Sequence, residues 1–281
     1  MTTLKDARSF NTDSPIFIIG APKCASTALH ITFSKSGLVN YAPIKDTKYL
    51  SNRDFNLSVY REFFFDNNLR LFEADQNLAI SSQAFQNIKQ NFTNPTLIYV
   101  LRSPKDRFLS ALAWLKKNGL AANAKQAFEQ HNNWLIAHGK YEENIMANIH
   151  PNLDSGDRLI LVSFEKLTRD GGTTLHSLFE AVNLIPPEDI ALIQHNRSVK
   201  PRNKALVASL RGGFSKSRLF IPKPIQEFIK NSKIVEKALY TNTPVEIETS
   251  DLEFYNTIKY EFDSAELLWA RVNESGILSR A

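Results

Sequence analysis

Three short apolar runs mark the chain, and each is followed by a break and then by apolar residues at helical spacing. The runs are Ile16–Ile19, Leu97–Leu101 and Leu159–Phe164. Short apolar runs without polar alternation are typical of strands that are buried on both faces. Strands that alternate with helices in this way predict an α/β fold, with a central parallel sheet and helices on both faces.

The first run ends in a loop that carries a lysine. Gly20 and Pro22 interrupt the strand, and Ser26 or Thr27 can begin a helix. Backbone N–H groups of such a loop, with the positive end of the helix dipole behind them, point towards an anion, and Lys23 adds a full positive charge. The pattern predicts a site for phosphate or sulfate. It does not imply magnesium, because the glycine before and the Ser or Thr after a Walker A lysine are missing.

The second run delivers an arginine to the start of a helix. Arg102 follows the strand, Ser103 can cap the helix and Pro104 suits its first position. Ser110 comes two helical turns after the cap, so its hydroxyl can face the same side. A forked guanidinium and a hydroxyl are groups that a phosphomonoester requires, which makes Arg102 and Ser110 a candidate second anion site.

Together the two junctions resemble the cofactor loops of sulfotransferases that use 3′-phosphoadenosine 5′-phosphosulfate (PAPS). The 5′-phosphosulfate loop of that family, G-x-P-K-[SC]-G-[ST]-[ST]-x-L-H, is matched at Gly20, Pro22, Lys23, Cys24, Ser26, Thr27, Leu29 and His30, with Ala25 in place of the family's glycine. Its 3′-phosphate motif, Y-V-x-R-x-P-x-D-R-x-x-S, is matched at Tyr99, Val100, Arg102, Pro104, Asp106, Arg107 and Ser110. The resemblance implies a P-loop-like sulfotransferase fold and PAPS as co-substrate, without a metal.

The resemblance also implies an acceptor side. The bacterial and glycan-directed branches carry K-E-P-x-[YF]-[FL] after the first helix, which supplies a glutamate base and a neighbouring lysine. This chain has K-D-T-K-Y-L at Lys45–Leu50. By resemblance, Asp46 is the catalytic base and Lys45 assists it, while Lys23 neutralises the leaving oxygen. Two alternatives stay open for this position: Asp46 as an exposed loop carboxylate paired with a lysine, and a histidine such as His30 or His150 as the base. The implied acceptor contacts are Tyr49 and, in a segment similar to the family's E-x-S-P-x-Y, Ser82 and Phe85.

Two later segments complete the comparison. Residues Asn196–Leu206 resemble an N-x-S-x-x-P-R stretch of bacterial members. Lys200 and Arg202 are therefore candidates to close over the cofactor, although solvated loop cations fit the pattern equally well. Phe254–Trp269 has the spacing of one amphipathic helix that packs on the domain.

Length and composition fit a single domain. We expect residues 1–14 to be a disordered polar lead and residues 15–281 to form one domain. No N-terminal signal and no apolar run near the roughly 20 residues of a membrane span are found. The lone cysteine, Cys24, indicates a reducing, cytoplasmic compartment. The net charge of +5 is dispersed, which suits an acidic ligand and does not indicate nucleic-acid binding. The pattern does not indicate an oligomeric state.

The sequence thus predicts sulfuryl transfer from PAPS to a hydroxyl group of a carbohydrate, lipid headgroup or small alcohol. Two alternatives stay open. One is a P-loop kinase with a degenerate Walker A loop, in which Glu165 at a strand end would be a metal ligand. The other is a nucleotide-binding protein without catalytic activity, which the altered positions Ala25, Asp46 and Thr47 would allow.

Overall fold

The structure of the protein is a computed structural model that describes residues 11–65, 68–170, 172–193, 199–201 and 240–280. The chain divides into two compact units. The first consists of Met1–Arg107, Ala137–His195 and Phe262–Ala281, and the second of Phe108–Ile136 and Asn196–Glu261. The single domain expected from the sequence stays a prediction. Of the expected disordered lead, residues 1–10 lie outside the described residues, whereas Ser14 N donates a hydrogen bond to Thr93 O at 2.8 Å.

A six-stranded sheet forms the centre of the first unit. Its strands are β1 (Ile16–Gly20), β2 (Val39–Tyr41), β3 (Arg70–Ala74), β4 (Thr96–Leu101), β5 (Arg158–Ser163) and β8 (Ile277–Arg280). Their order in the sheet is β2-β3-β1-β4-β5-β8. Five strands are parallel, and β8 pairs with β5 in the antiparallel direction. The second unit contains an antiparallel pair, β6 (Val199–Pro201) and β7 (Tyr240–Pro244).

Helices lie between most of the strands. Those in the described residues are α1 (Ser26–Ser36), α2 (Leu57–Arg61), α3 (Ser82–Asn91), α4 (Pro104–Lys117), α5 (Ala124–Leu135), α6 (Tyr141–Asn144), α7 (Phe164–Arg169), α8 (Thr173–Ala181), α9 (Thr249–Ile258) and α10 (Asp263–Ser275). Short 3₁₀ turns lie at Leu78–Ile80, Ala137–Gly139, His150–Asn152 and Lys259–Phe262, and Ile145–Ile149 is a π-helical turn.

The predicted α/β class and the three predicted strands are confirmed. Two predicted boundaries are wrong. The third strand ends at Ser163 because the Ser163 hydroxyl accepts a hydrogen bond from Lys166 N and caps α7, which begins at Phe164. The tail is not one helix from 254 to 269, because α9 ends at Ile258 and α10 begins only at Asp263. The sheet also has three strands, β2, β3 and β8, that the apolar runs did not predict.

An aromatic stack holds α1 against the sheet. The ring of Phe33 on α1 lies 4.8 Å from that of Phe72 on β3 and 4.3 Å from that of Phe179 on α8, both nearly parallel. All three rings are fully buried. Burial of each of these large rings stabilises the fold by on the order of 2–3 kcal/mol. The stack therefore fixes the helix whose first turn borders the predicted anion site.

In the second unit a buried ion pair joins α4 to α9. Lys116 Nζ lies 2.6 Å from Asp251 Oδ2, and Asp251 is fully buried. The other carboxylate oxygen, Oδ1, accepts a hydrogen bond from Ala124 N at the start of α5. Asp251 thus receives donors on both oxygens, which is the condition for burying a charge at acceptable cost. Its role is structural.

Candidate active site

The predicted phosphate loop, residues 21–25, lies between β1 and α1. The first N–H groups of α1 have no side-chain cap. The N–H groups of Ser26, Thr27 and Ala28 belong to the first turn of α1, where no intrahelical acceptor exists. No side chain caps this end of the helix, because the N-cap residue is Ala25. Lys23 is half-buried beside it. Uncapped N–H groups at a helix start are the donors that anions use in other proteins, so the role of this loop in anion binding stays a prediction.

The loop uses left-handed backbone conformations at residues that are not glycine. Lys23 has a φ of 71° and Ala25 a φ of 61°. L-residues with a Cβ adopt this region at a cost of about 1 kcal/mol or more. At the Ala25 position a glycine would adopt the same conformation without that cost. The departure from the glycine of the related motif therefore introduces strain at the start of α1.

Gly20 is closely packed at the end of β1. A Cβ on Gly20 would lie 3.1 Å from Tyr99 Cε2 and 3.3 Å from the carbonyl oxygen of Gln76. A side chain there would require these neighbours to shift by a few tenths of an ångström. The close approach brings Gln76, which follows β3, directly against the phosphate loop.

Arg102 connects the two predicted cofactor motifs. It follows β4, the strand next to β1, and its Nη1 donates a hydrogen bond to the carbonyl oxygen of Lys23 at 3.3 Å. The guanidinium carbon lies 4.5 Å from the centre of the Phe164 ring, a cation–π contact. Arg102 Nε is buried and has no hydrogen-bond partner among the described residues. A buried guanidinium nitrogen without an acceptor is what an anion ligand would satisfy.

Glu165 fixes the backbone next to Arg102. Its Oε1 accepts a hydrogen bond from Ser103 N, and its Oε2 accepts one from the indole Nε1 of Trp269, each at 3.0 Å. The glutamate therefore ties the start of α4 to α10. The kinase alternative makes Glu165 a metal ligand, whereas here both carboxylate oxygens are engaged by protein donors.

Cys24 lies in the phosphate loop but its side chain points inward. The thiol is fully buried and lies 3.6 Å from the carbonyl oxygen of Pro22. Burial raises the pKa of Cys24 to about 11, although nearby arginines oppose the shift. The thiol is therefore protonated at neutral pH. Any contact of Cys24 with a ligand is through its backbone.

The predicted base belongs to a loop that lies on the end of β3. Asp46 Oδ1 accepts hydrogen bonds from Lys45 Nζ at 2.6 Å and from Gln76 N at 3.0 Å. Its Oδ2 accepts one from Gln76 Nε2 at 3.3 Å. The side chains of Lys45 and Asp46 are 11% and 24% exposed, so the carboxylate is held in place but still reaches solvent. Gln76 thus links Asp46 to Gly20 of the phosphate loop.

Two further carboxyl groups lie under this loop. Glu73 and Asp75 are two positions apart on and after β3, and both are at most 1% exposed. Glu73 accepts hydrogen bonds from the hydroxyls of Thr47 and Tyr60. Asp75 Oδ2 accepts one from Lys48 N at 3.0 Å. Burial, and next the negative charge of Asp75, raise the pKa of Glu73 to about 7; burial also raises the pKa of Asp75.

The remaining predicted site residues have different surroundings. Ser82 begins α3, and Phe85 on the same helix is 2% exposed, a core position in this structure. Tyr49 is half-buried and its ring is parallel to that of Tyr60 at 6.1 Å. Ser110 is on α4 in the second unit. Lys200 is in β6, of whose side chains nothing is described, and Arg202 lies outside the described residues. The binding roles of all these residues stay predictions.

Comparison with known proteins gives a result for the fold and none for the sequence. No family model matches the chain, and no curated protein sequence matches it. The crystal structure of a sulfotransferase from Alicyclobacillus acidocaldarius matches with a TM-score of 0.50 at 16% identity, over 74% of this chain and 92% of that one. This chain has a sulfotransferase-like fold.

Two sulfotransferase domains also match, with lower scores. The domain from the curacin biosynthetic pathway has a TM-score of 0.46 at 16% identity and covers 89% of this chain and 99% of its own. The domain from the Synechococcus PCC 7002 olefin synthase has a TM-score of 0.49 at 11% identity, with coverages of 92% and 99%.

The described part of the chain was also compared with the requirements of a membrane-spanning helix and of a metal site. No helix in it has the length and apolar character needed to cross a membrane. The same residues contain no group of three or more His, Cys, Asp or Glu side chains that could hold a metal ion.

Sequence reasoning missed four residues of the candidate site. Glu73 and Asp75 lie on and after a strand that the apolar runs did not show, and Gln76 and Trp269 act through contacts between distant segments. The pair of carboxyl residues in Glu73-Ala74-Asp75, next to the apolar residues 71 and 72, was the one local signal that could have indicated them.

Proposed function

We propose that this protein transfers the sulfuryl group of PAPS to a hydroxyl group of an acceptor. The observation that supports this most is the hydrogen bond from Arg102 to the Lys23 carbonyl. It brings two cofactor motifs together at the carboxyl ends of the neighbouring parallel strands β1 and β4. Ligands of open α/β sheets bind at this edge.

The phosphate loop suits the 5′-phosphosulfate end of the nucleotide. The open N–H groups of Ser26, Thr27 and Ala28 are the donors that its oxygens require, and Lys23 supplies the positive charge. Cys24 and Ala25 would contribute their backbone. Gly20 lets the strand end stay close to Gln76, and Pro22 is the further loop residue that the motif implies.

Arg102 suits the 3′-phosphate. Its guanidinium is oriented by Phe164 and the Lys23 carbonyl, and its buried Nε still needs an acceptor. A phosphomonoester accepts two parallel hydrogen bonds from an arginine fork. Ser110, Lys200 and Arg202 remain the further contacts that the motifs imply for the nucleotide.

The proposed reaction is a displacement at sulfur. The acceptor oxygen forms a bond to sulfur while the bond from sulfur to the 5′-phosphate oxygen breaks, and the acceptor hydroxyl loses its proton. Lys23 would stabilise the negative charge that develops on the leaving phosphate oxygen, and Asp46 would take the proton. Lys45, whose Nζ lies 2.6 Å from Asp46 Oδ1, would attract the sulfuryl oxygens. Positioning and charge stabilisation account for most of such a rate enhancement.

Three chemical classes of acceptor fit the proposal. Tyr49 and Ser82 are the predicted contacts, and Phe85 would need a rearrangement to reach a ligand, since it is 2% exposed. A carbohydrate, a lipid headgroup and a small alcohol all provide the required hydroxyl. The buried, protonated thiol of Cys24 is compatible with the cytoplasmic location that the sequence suggests.

The kinase alternative receives less support than it had from sequence. It required Glu165 as a magnesium ligand, and both oxygens of Glu165 accept hydrogen bonds from Ser103 and Trp269. Binding magnesium would break these contacts. The experiment that follows distinguishes a sulfotransferase from a nucleotide-binding protein without turnover.

The test is incubation of the protein with sulfur-35-labelled PAPS, a chelator and three separate acceptor pools: oligosaccharides, lipids and small alcohols. We expect label in one pool, and loss of that transfer in Lys23→Ala. Calorimetry with 3′-phosphoadenosine 5′-phosphate, ADP and ATP accompanies it. Metal-free binding of the 3′-phosphorylated nucleotide without transfer to any pool would favour the non-catalytic alternative. Magnesium-dependent ATP binding that is as strong would favour the kinase.

A further inference from the structure

We propose that Glu73 is a positioning residue that holds, through Thr47, the loop carrying Asp46. The effect of Glu73 on turnover rests on the proposed function, whereas its attachment of the loop does not. Glu73 lies outside the motif that indicated Asp46, and it touches no part of the predicted nucleotide site among the described contacts. Its influence on the reaction would be exerted through the loop.

Consecutive residues of the loop are attached to the end of β3. Asp46 N donates to the Ala74 carbonyl at 3.0 Å, and the Asp46 carboxylate accepts from Gln76 N at 3.0 Å. The next residue, Thr47, donates its hydroxyl hydrogen to Glu73. Lys48 N then donates to Asp75 Oδ2 at 3.0 Å.

The Thr47 hydroxyl has two roles, which makes its orientation by Glu73 important. Its oxygen Oγ1 donates to Glu73 and at the same time accepts a hydrogen bond from Tyr49 N at 3.2 Å. If Glu73 no longer accepted, the hydroxyl would be free to rotate, and the bond from Tyr49 N would weaken. One carboxyl group therefore stabilises both sides of the turn after Asp46.

The loop needs such attachments because its backbone is strained. Asp46 has a φ of 58° and Lys48 a φ of 60°, in the left-handed region that non-glycine residues rarely adopt. Conformations of this kind persist only where surrounding contacts enforce them. Thr47 lies between the two strained residues, so the contact with Glu73 is at the centre of the strained segment.

The groups around Glu73 make its hydrogen bond with Thr47 depend on pH. The groups that face it are Asp75, which follows β3, the Tyr60 hydroxyl on α2, and the hydroxyl and backbone N–H of Thr47. Its neighbour in the sheet register is the apolar Phe17 on β1. An ionised Glu73 accepts from both hydroxyls. A protonated Glu73 must donate to one of them and reverse that bond. With the pKa of Glu73 raised to about 7, this change falls near neutral pH.

The experiment uses the full chain with matched variants at Thr47. Thr47→Val keeps the shape and removes the hydroxyl, whereas Thr47→Ser keeps the hydroxyl. We expect Thr47→Val and Glu73→Gln to lower kcat roughly tenfold to a hundredfold, the effect of a misplaced catalytic group, with unchanged affinity for 3′-phosphoadenosine 5′-phosphate. Thr47→Ser should restore most of the turnover. We also expect kcat of the wild type to rise with pH near neutrality, as Glu73 ionises. This rise should be absent in Glu73→Gln.

Tyr60→Phe is the control for a purely structural role. It removes the other hydroxyl partner of Glu73 and keeps the ring that lies parallel to that of Tyr49, so it should lower stability and leave kcat less affected than Thr47→Val does. Equal kcat values and equal pH profiles for wild type and Thr47→Val would overturn the proposal.

A second measurement separates this proposal from the proposed function. Amide hydrogen exchange of Lys48 and Tyr49 reports on the loop whether or not the protein is active. We expect faster exchange in Thr47→Val than in wild type and Thr47→Ser. If the wild type transfers no sulfuryl group but this difference is present, the proposed function fails and the attachment stands. If the exchange rates are equal, the attachment itself is wrong.

Discussion

The guanidinium of Arg102 donates a hydrogen bond to the backbone carbonyl of Lys23 at 3.3 Å, although 79 positions separate the two residues. The contact joins the loop after β1 to the residue after β4. An experiment on Arg102 must therefore separate an observed contact from a proposed one. One is support of the phosphate loop through Lys23, and the other is the proposed contact with the 3′-phosphate through the remaining donors.

Replacement of Arg102 should affect nucleotides selectively. Arg102→Ala is expected to weaken binding of 3′-phosphoadenosine 5′-phosphate by roughly 1.5–3 kcal/mol, the range for hydrogen bonds to charged groups, and to change ADP binding little. Calorimetry on both nucleotides measures this. Arg102→Lys, which keeps the charge but not the fork, should fall between wild type and Arg102→Ala. An equal loss for both nucleotides would mean that Arg102 only supports the loop.

Asp46→Asn tests the proposed base. The amide keeps the size and retains one oxygen for Gln76 N, but it cannot take a proton, so turnover should fall roughly a hundredfold or more. Nucleotide affinity should stay close to that of wild type. Steady-state kinetics and calorimetry measure the two effects, with Asp54→Asn, an exposed carboxylate nearby, as the control. Normal turnover of Asp46→Asn would remove Asp46 from the mechanism.

Ala25→Gly should stabilise the protein. The φ of 61° at Ala25 is left-handed, so glycine relieves strain of about 1 kcal/mol at this position. Denaturant unfolding measures the change in the free energy of unfolding. Gly37→Ala is the matched control, because Gly37 has a φ of 71° and open space where a Cβ would be placed. Alanine there should destabilise by a similar amount through the backbone alone. Destabilisation by Ala25→Gly would contradict this prediction, because the entropy that glycine adds to the unfolded chain would then exceed the strain it relieves.

The stability of the protein should depend on pH through Glu73. Its pKa is raised from 4.5 to about 7 in the folded state, so folding favours the protonated form. This contribution is fully present below pH 4.5 and is lost as pH rises through about 7. The free energy of unfolding of wild type, relative to Glu73→Gln, should therefore fall by on the order of 3 kcal/mol over that interval. Parallel pH curves for the two proteins would contradict a buried, titrating Glu73.

Cys24 should be unreactive despite its place in the phosphate loop. With the pKa of the thiol raised to about 11, the thiolate fraction at pH 8 is roughly a hundredfold below that of an ordinary cysteine, and burial restricts access further. Alkylation by iodoacetamide, followed by mass spectrometry, should leave the folded protein unmodified while the denatured protein reacts. Rapid modification of the folded protein would show that the loop opens.

The parts of the fold that were predictable from sequence are those with local signals. The strand–loop–helix junctions at Lys23 and Arg102 combine an apolar run, a break and a helix start within a few residues. β3 gave no such signal, because its five residues include Arg70 and Glu73, and a charged residue in a short strand resembles a solvent-facing position. β2 is only three residues long, Val39–Tyr41, which is too short for a periodicity.

The candidate site was predictable only in its parts. The motifs named Lys23, Arg102 and Asp46, but nothing local connects Asp46 to Gln76, or Glu73 to Thr47, since both contacts join separate segments. The burial that raises the pKa of Glu73 is likewise a result of packing. Family patterns indicated which residues are candidates for ligand contact, while the residues that hold them in place became visible only in three dimensions.

The antiparallel strand β8 also affects how the protein is made. Ile277–Arg280 pairs along the outer side of β5, so one border of the sheet is supplied by residues that leave the ribosome after all the other strands. Until then the main-chain donors and acceptors on that side of β5 have no partner strand, and an exposed strand edge can pair with other chains. Nascent chains that stall before residue 277 should therefore be prone to aggregate, even though every residue of the candidate site has already been synthesised.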